Sequence, residues 1–137
     1  MSDSTAHQPH DAAIRNLVAR IALLADEGDL DDYTDQFTED AVWNFPAGPR
    51  QGRKDIRVGA EERRASGTTG PQSRTRHILT NLAIEVADDS NATGICYFMF
   101  LNGNTTPPSL VNFGVYRDTY RRDDGVWRLA RRDITPG

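Results

Sequence analysis

Two stretches of the sequence decide the fold class: residues 14–25, IRNLVARIALLA, and residues 75–86, TRHILTNLAIEV. In the first stretch apolar residues recur every three or four positions, which predicts one buried stripe of an amphipathic helix. The second stretch alternates with a period of two, which predicts a strand. Its two predicted faces carry Ile78, Leu82, Ile84 and Val86 on one side and His77, Leu79, Asn81 and Ala83 on the other.

The remaining sequence extends this pattern into early helices and late strands. Asp11 is the predicted N-cap of the first helix and Gly28 its stop, and residues 1–10 are predicted to form a disordered N-terminal tail. We predict helices over 30–37 and 53–65, a strand over 41–45, and a loop over 66–73. Four strands follow, over 75–86, 93–101, 109–121 and 126–134, the last two joined by a tight turn at Asp123-Asp124-Gly125. This order predicts an α+β fold in which a curved, mostly antiparallel sheet wraps around the helices.

Composition excludes several classes of protein. The chain has 137 residues, enough for one domain over 11–137, and its net charge of −4 argues against nucleic acid as a partner. One cysteine, Cys96, cannot form an internal disulfide, and only one of the three histidines lies outside the predicted tail, so we expect no metal or other cofactor. No apolar run is long enough for a membrane helix or resembles a secretion signal, which predicts a cytoplasmic protein with no membrane partner.

Asp26 and His77 are the first candidates for chemistry. Asp26 follows a stretch that is apolar on nearly every side of the helix, so its carboxylate is either buried against a partner or exposed at the helix end. His77 is either a core histidine bonded to a backbone carbonyl or a catalytic base. If the two residues meet, the aspartate fixes the imidazole tautomer and leaves the other ring nitrogen free as a general base.

Arg132, on the last predicted strand, is the third candidate. We place it on one face with Val126, Arg128 and Ala130, from which it could stabilise developing negative charge; the alternative is a solvated or ion-paired arginine. Six further residues are candidates for contact with a substrate in a pocket: Tyr33, Trp43, Leu79, Asn81, Tyr97 and Phe113.

Four segments carry a resemblance to a known family. They are AIRNL at 13–17, ADEGD at 25–29, FTEDAVW at 37–43 and YRRDDGVW at 120–127. They resemble the SnoaL-like branch of the nuclear transport factor 2-like superfamily over about residues 11–133. The resemblance implies a cone-shaped barrel with a deep pocket between the sheet and a long first helix. It specifies function poorly, because the superfamily includes lyases, isomerases, cyclases and non-catalytic proteins.

Within this branch the sequence is most similar to hexachlorocyclohexane dehydrochlorinase and to scytalone and bile-acid dehydratases. The strand motif His-x-x-Thr-Asn-Leu of the dehydrochlorinase is matched by residues 77–82, HILTNL, and its helix aspartate by Asp26. Its pocket arginine is matched by Arg132, whereas the position of its lysine is Ile21 here. The resemblance therefore implies a catalytic site of His77, Asp26 and Arg132 without the complete halide site.

Two other branches of the superfamily match less well. The position of the ketosteroid isomerase carboxylate is Phe45 in this sequence. The epoxide hydrolases use an Asp-Arg-Asp cluster, whereas Arg117 and Asp118 are adjacent and would point to opposite faces of a strand.

These observations predict an enzyme without cofactor that transfers a proton on a small hydrophobic molecule: a dehydratase-type lyase, an isomerase or a cyclase. The alternatives are a non-catalytic ligand-binding domain and a partner subunit, such as the small subunit of a dioxygenase. The strand over 93–101 is apolar on both faces although three helices can cover only one, so we also predict a homodimer or higher homo-oligomer through the sheet.

Overall fold

A computed structural model describes residues 3–137, with side chains described from Pro9 onward. Within that range three helices lie against one six-stranded sheet, so the predicted α+β class is confirmed. The helices are α1 (Asp3–Glu27), α2 (Leu30–Asp35) and α3 (Arg53–Ala65). The strands are β1 (Phe37–Asn44), β2 (Arg50–Gln51), β3 (Thr75–Val86), β4 (Asn91–Asn102), β5 (Ser109–Asp123) and β6 (Val126–Pro136).

The sheet has the order β2-β1-β6-β5-β4-β3 and is open, since β2 and β3 are its two edges. Only the pair β1 and β6 is parallel, which agrees with the predicted, mostly antiparallel sheet. The predicted cone is therefore formed by an open sheet rather than by a barrel closed by hydrogen bonds. Asp124 and Gly125 both have positive φ, 51° and 77°, at the β5–β6 turn that the sequence predicted.

The core forms where α1 lies against the inner face of the sheet. Ile14, Leu17, Val18 and Ile21 are each at most 2% exposed, as the apolar spacing predicted. They pack with Tyr33, Phe37, Trp127 and Leu129 in one cluster, and a second cluster consists of Cys96, Phe98, Tyr116 and Ile134. No helix within residues 3–137 combines the length and apolar character that a membrane crossing needs.

The sequence predicts a disordered tail over residues 1–10; the structure places Asp3–His10 of this segment in α1, and Met1 and Ser2 lie outside the described residues. Pro9 lies inside the helix, where sequence rules place a break. Tertiary contacts hold this end of the helix. Trp127 Nε1 donates to His10 Nδ1 at 3.2 Å, and His10 Nε2 lies 3.4 Å from Asp89.

Irregularities in two strands change which side chains face inward. In β3 the register with β4 shifts between Thr80 and Ala83, and Asn81 has φ of 58°. As a result Leu79 faces the core before the bulge and Leu82 after it, while Ile78 is 38% exposed. The predicted face of Ile78 and Leu82 is therefore wrong, because strict alternation does not hold across a bulge.

Candidate active site

The last turn of α1 carries a buried carboxylate, Asp26, which is 3% exposed. Arg64 from α3 donates hydrogen bonds to the carbonyls of Leu24, at 2.9 Å, and Ala25, at 3.4 Å. These carbonyls belong to the helix terminus, where intrahelical donors run out: Leu24 O accepts its last helix bond from the N–H of Gly28 at 2.9 Å, and Arg64 supplies a further donor. The side chain of Arg64 thus covers the helix end and helps to keep Asp26 inside the fold.

His77, near the start of β3, binds both oxygens of this carboxylate. Its Nδ1 lies 2.7 Å from Asp26 Oδ1, and its backbone N–H donates to Oδ2 at 3.1 Å. Since an ionised carboxylate only accepts hydrogen bonds, this contact places the proton of a neutral imidazole on Nδ1 and its lone pair on Nε2. Of the two alternatives left open by the sequence for each residue, the structure therefore shows Asp26 buried and paired with His77.

The free nitrogen of His77 faces a cavity. Nε2 has no hydrogen-bond partner among the described residues, and the side chain is 20% exposed. The ring centroid lies 4.7 Å from that of Phe100, which restricts rotation of the imidazole. The arrangement can accept a proton from a molecule in the cavity and stabilise the resulting imidazolium through Asp26.

The cavity consists of two adjacent chambers that share Trp43, Arg63, Thr69 and His77 as walls. The outer chamber has a volume of about 270 Å³ and is mainly apolar, with Phe45, Phe98, Phe100, Val111, Tyr116 and Ile134 in its wall. The inner chamber has a volume of about 40 Å³ and is completed by Ala25, Leu30, Tyr33, Ala60 and Arg64. A site with an apolar body and a few convergent polar groups is typical of a small-molecule pocket.

Arg132 is not free to act in this cavity. Its Nε and Nη2 donate to the two oxygens of Asp118, both at 2.8 Å, and the two side chains are 3% and 1% exposed. Its guanidinium lies 3.9 Å from the ring centroid of Tyr116, which separates it from the outer chamber. Burial alone would lower the pKa of Arg132, but the charge of Asp118 and its hydrogen bonds outweigh this effect, so the pKa is raised.
 The predicted face of Arg132 is also wrong. It lies on the buried side with Trp127, Leu129 and Ile134, because the β5–β6 register shifts between Thr119 and Tyr120.

Of the six residues predicted to contact a substrate, two line the cavity, namely Tyr33 and Trp43. Leu79 is half-buried and packs against both core clusters. The other three do not line it: Asn81 is exposed in the β3 bulge, and Tyr97 and Phe113 are 53% and 52% exposed on the outer face of the sheet. For Tyr97 and Phe113 the reason is strand phase, since Phe98 and Tyr116 on the same strands are the inward residues.

The sequence analysis missed Arg63 and Thr69, which line both chambers. Arg63 lies in the last turn of α3 and Thr69 is a buried residue of the loop that follows. The sequence contains a weak signal that Arg63 faces inward. Arg63 lies seven positions after Ile56, so the two residues share one face of the helix.

Tyr33 carries an unusual hydroxyl. The residue is 1% exposed, and its Oη is buried without a hydrogen-bond partner among the described residues. Burial raises the pKa of Tyr33, and the positive charges of Arg63, Arg132 and Arg64 reduce that rise. The phenol therefore stays protonated and can donate a hydrogen bond.

No three His, Cys, Asp or Glu side chains of residues 3–137 form a group that could hold a metal ion. The prediction that the protein works without a cofactor is not tested by this observation and remains a prediction.

Comparison with known proteins assigns this fold to a family. A model of the SnoaL-like domain matches residues 9–133. The chain belongs to the SnoaL-like domain family. The resemblance found in the sequence is thereby confirmed, whereas no functionally curated protein matches the chain.

Several solved structures share the fold of this chain. A variant of Rv3472, described as a function unknown protein from Mycobacterium tuberculosis, has a TM-score of 0.86 and 26% identity over 98% of this chain and 75% of its own. A protein from Catenulispora acidiphila in complex with S-DNPA has a TM-score of 0.75 and 27% identity over 92% of each chain. LinA has a TM-score of 0.78 and 22% identity over 100% of this chain and 91% of its own, which shows a shared fold.

Proposed function

We propose that this SnoaL-like protein is a cofactor-independent enzyme that moves a proton on a small, largely apolar organic molecule. The single observation that carries the proposal is the 2.7 Å contact between His77 Nδ1 and Asp26, with Nε2 unpartnered at the cavity wall. Nε2 takes a proton from a carbon of the substrate, and Asp26 orients the ring and stabilises its positive charge. A positioned base of this kind contributes a factor of about 10²–10⁴ to the rate.

The reaction class that this arrangement supports best is an elimination of the dehydratase type. The imidazolium formed in the first step can return its proton to a leaving hydroxyl group on the same face, so water leaves and a carbon–carbon double bond forms. An isomerisation or cyclisation would use the same first proton transfer and deliver the proton to another atom.

The proposal is tested by following solvent deuterium incorporation and product formation by NMR in a panel of small β-hydroxy carbonyl and halogenated cyclic compounds. We expect His77→Ala and Asp26→Asn to abolish turnover of any compound that the native chain converts. His10→Ala is the matched control, because His10 also approaches an aspartate, Asp89, at 3.4 Å but lies outside the cavity. Turnover by the His77→Ala variant at the native rate would refute the proposal.

A second candidate function is non-catalytic binding of a small ligand or a role as a partner subunit. The one observation that favours it is the apolar character of the outer chamber. The two functions differ in whether His77 and Asp26 transfer a proton to or from the bound molecule. A binding domain would keep its ligand affinity and show no deuterium exchange in any variant, so the same NMR experiment distinguishes them.

We further propose that the protein acts in the cytoplasm as a homodimer formed through the outer face of the sheet. Five apolar side chains of this face are 38–53% exposed: Ile78, Ile95, Tyr97, Leu110 and Phe113. Exposed apolar patches of this kind usually mark an interface. Light scattering at micromolar concentration is expected to give twice the chain mass for the native protein and the single chain mass for Tyr97→Glu; a monomeric native protein would contradict the proposal.

A further inference from the structure

Three polar groups of the inner chamber bind no carboxylate and no backbone group within the described residues. They are the guanidinium of Arg63, the hydroxyl of Tyr33 and Nε2 of His77. Arg63 is half-buried, its guanidinium carbon lies 5.8 Å from the ring centroid of Trp43, and it acts on the Tyr33 hydroxyl both by its charge and as a hydrogen-bond partner.

The charges around the chamber favour an anion. The positive charges of Arg63, Arg132 and Arg64 all act on the Tyr33 hydroxyl. The charge of Arg132 is balanced by Asp118, whereas Arg64 is bound to backbone carbonyls and Arg63 lies beside the neutral hydroxyl of Tyr33 rather than a carboxylate. Asp26 contributes one negative charge against the two positive charges of Arg63 and Arg64, and both of its oxygens are bound to His77. A negative group in the chamber would therefore meet unbalanced positive charge.

The size of the chamber indicates how large this group is. A cavity of about 40 Å³ holds roughly three water-sized groups, at about 10–15 Å³ for each. A carboxylate has three non-hydrogen atoms. Its two oxygens can accept hydrogen bonds from a guanidinium and from a phenol at the same time.

We propose that the inner chamber binds the carboxylate of a small aromatic or alicyclic acid, held by Arg63 and the hydroxyl of Tyr33. The apolar body of the acid occupies the outer chamber. His77, which lines both chambers, then faces the carbons that join the two parts. The inference rests on the proposed function in taking this cavity as the active site, and it adds the class of substrate.

The test measures binding rather than turnover. Phenylacetate, phenylacetamide and 2-phenylethanol are titrated into the native chain at pH 7.5 and low salt, and binding is followed by amide chemical shifts. We expect phenylacetate to bind at least tenfold more tightly than either neutral compound. Equal or weaker binding of phenylacetate would overturn the inference.

Variants identify the residues responsible. Arg63→Gln is expected to remove the preference for the acid, and Arg63→Lys to keep part of it as a point charge. Tyr33→Phe removes a buried hydroxyl that makes no hydrogen bond of good geometry in the free protein, although Arg63 lies beside it. The Tm of this variant should therefore be unchanged or higher, whereas its Kd for phenylacetate should increase about fivefold. Arg57→Gln is the matched control on the same helix, because Arg57 is paired with Asp31 at 2.6 Å outside the cavity.

The outcomes separate this inference from the proposed function. If phenylacetate binding is unchanged in Arg63→Gln and Tyr33→Phe, the carboxylate site is refuted even when turnover depends on His77. If the acid binds through Arg63 but no compound is converted, the site stands and the proposed catalysis fails.

Discussion

Replacing Arg132 by methionine tests whether this arginine is structural or catalytic. The substitution keeps most of the side-chain volume and leaves the carboxylate of Asp118 buried without its cation. The two hydrogen bonds of 2.8 Å and the stacking on Tyr116 are lost together. Breaking a buried ion pair by removing one partner costs about 3–5 kcal/mol of the free energy of unfolding.

The lower half of that range is expected here. Tyr120 still donates a hydrogen bond of 2.8 Å to Asp118 in the variant, so the carboxylate is not left wholly unpaired. For a chain of this length about 1 kcal/mol corresponds to roughly 3 °C in Tm, so the loss is roughly 10 °C. Urea and thermal unfolding followed by circular dichroism measure it.

The double variant Arg132→Met/Asp118→Leu is the control. Because it removes both charges, it should recover most of the lost stability, as replaced buried ion pairs often do. An Arg132→Met variant as stable as the native chain that has lost only ligand binding or turnover would refute this reasoning. Arg132 would then be a residue of the active site, as the sequence resemblance implied.

Two further predictions concern single positions. Burial raises the pKa of the Cys96 thiol to about 11, so only about 0.1% of the thiol is ionised at pH 8. A thiol reagent should therefore modify Cys96 only once the chain unfolds. Rapid modification of the folded chain would contradict the burial of Cys96. Asn81 has φ of 58°, so Asn81→Val should lower the free energy of unfolding by about 1–2 kcal/mol while Asn81→Gly is tolerated. Equal loss in both variants, measured by urea unfolding, would show that the side chain of Asn81, rather than its backbone, is what matters.

The sequence predicted the elements of this fold better than the directions of their side chains. The stripe of α1 and the bounds of α3 and β3 follow from spacing alone, since apolar periodicity is a local property. The short strand β2 was not predicted, because two residues carry no period. The bulges in β3 and between β5 and β6 were not predictable either, and each reverses which residues face inward beyond it.

The pairing of Asp26 with His77 has no local signal. The two residues are 51 positions apart and belong to elements of different type. From the sequence, Asp26 could equally be exposed at the helix end and His77 could equally be a core histidine. Only the family resemblance suggested that the two residues meet. The geometry of the pair follows from the fold: the end of α1 lies against the start of β3, where both oxygens of the carboxylate meet the ring and the backbone of one residue.

Which arginine serves the cavity is decided by the other charges rather than by the arginine itself. Fifteen of the sixteen basic residues are arginine, so composition and motif cannot single one out. Arg132 occupies the position that the resemblance favours, yet Asp118 neutralises it behind Tyr116. Arg63 carries no motif but keeps its charge unpaired at the cavity wall. Since an anion gains most from a cation that no protein carboxylate already neutralises, Arg63 is the residue whose substitution should change what the cavity binds.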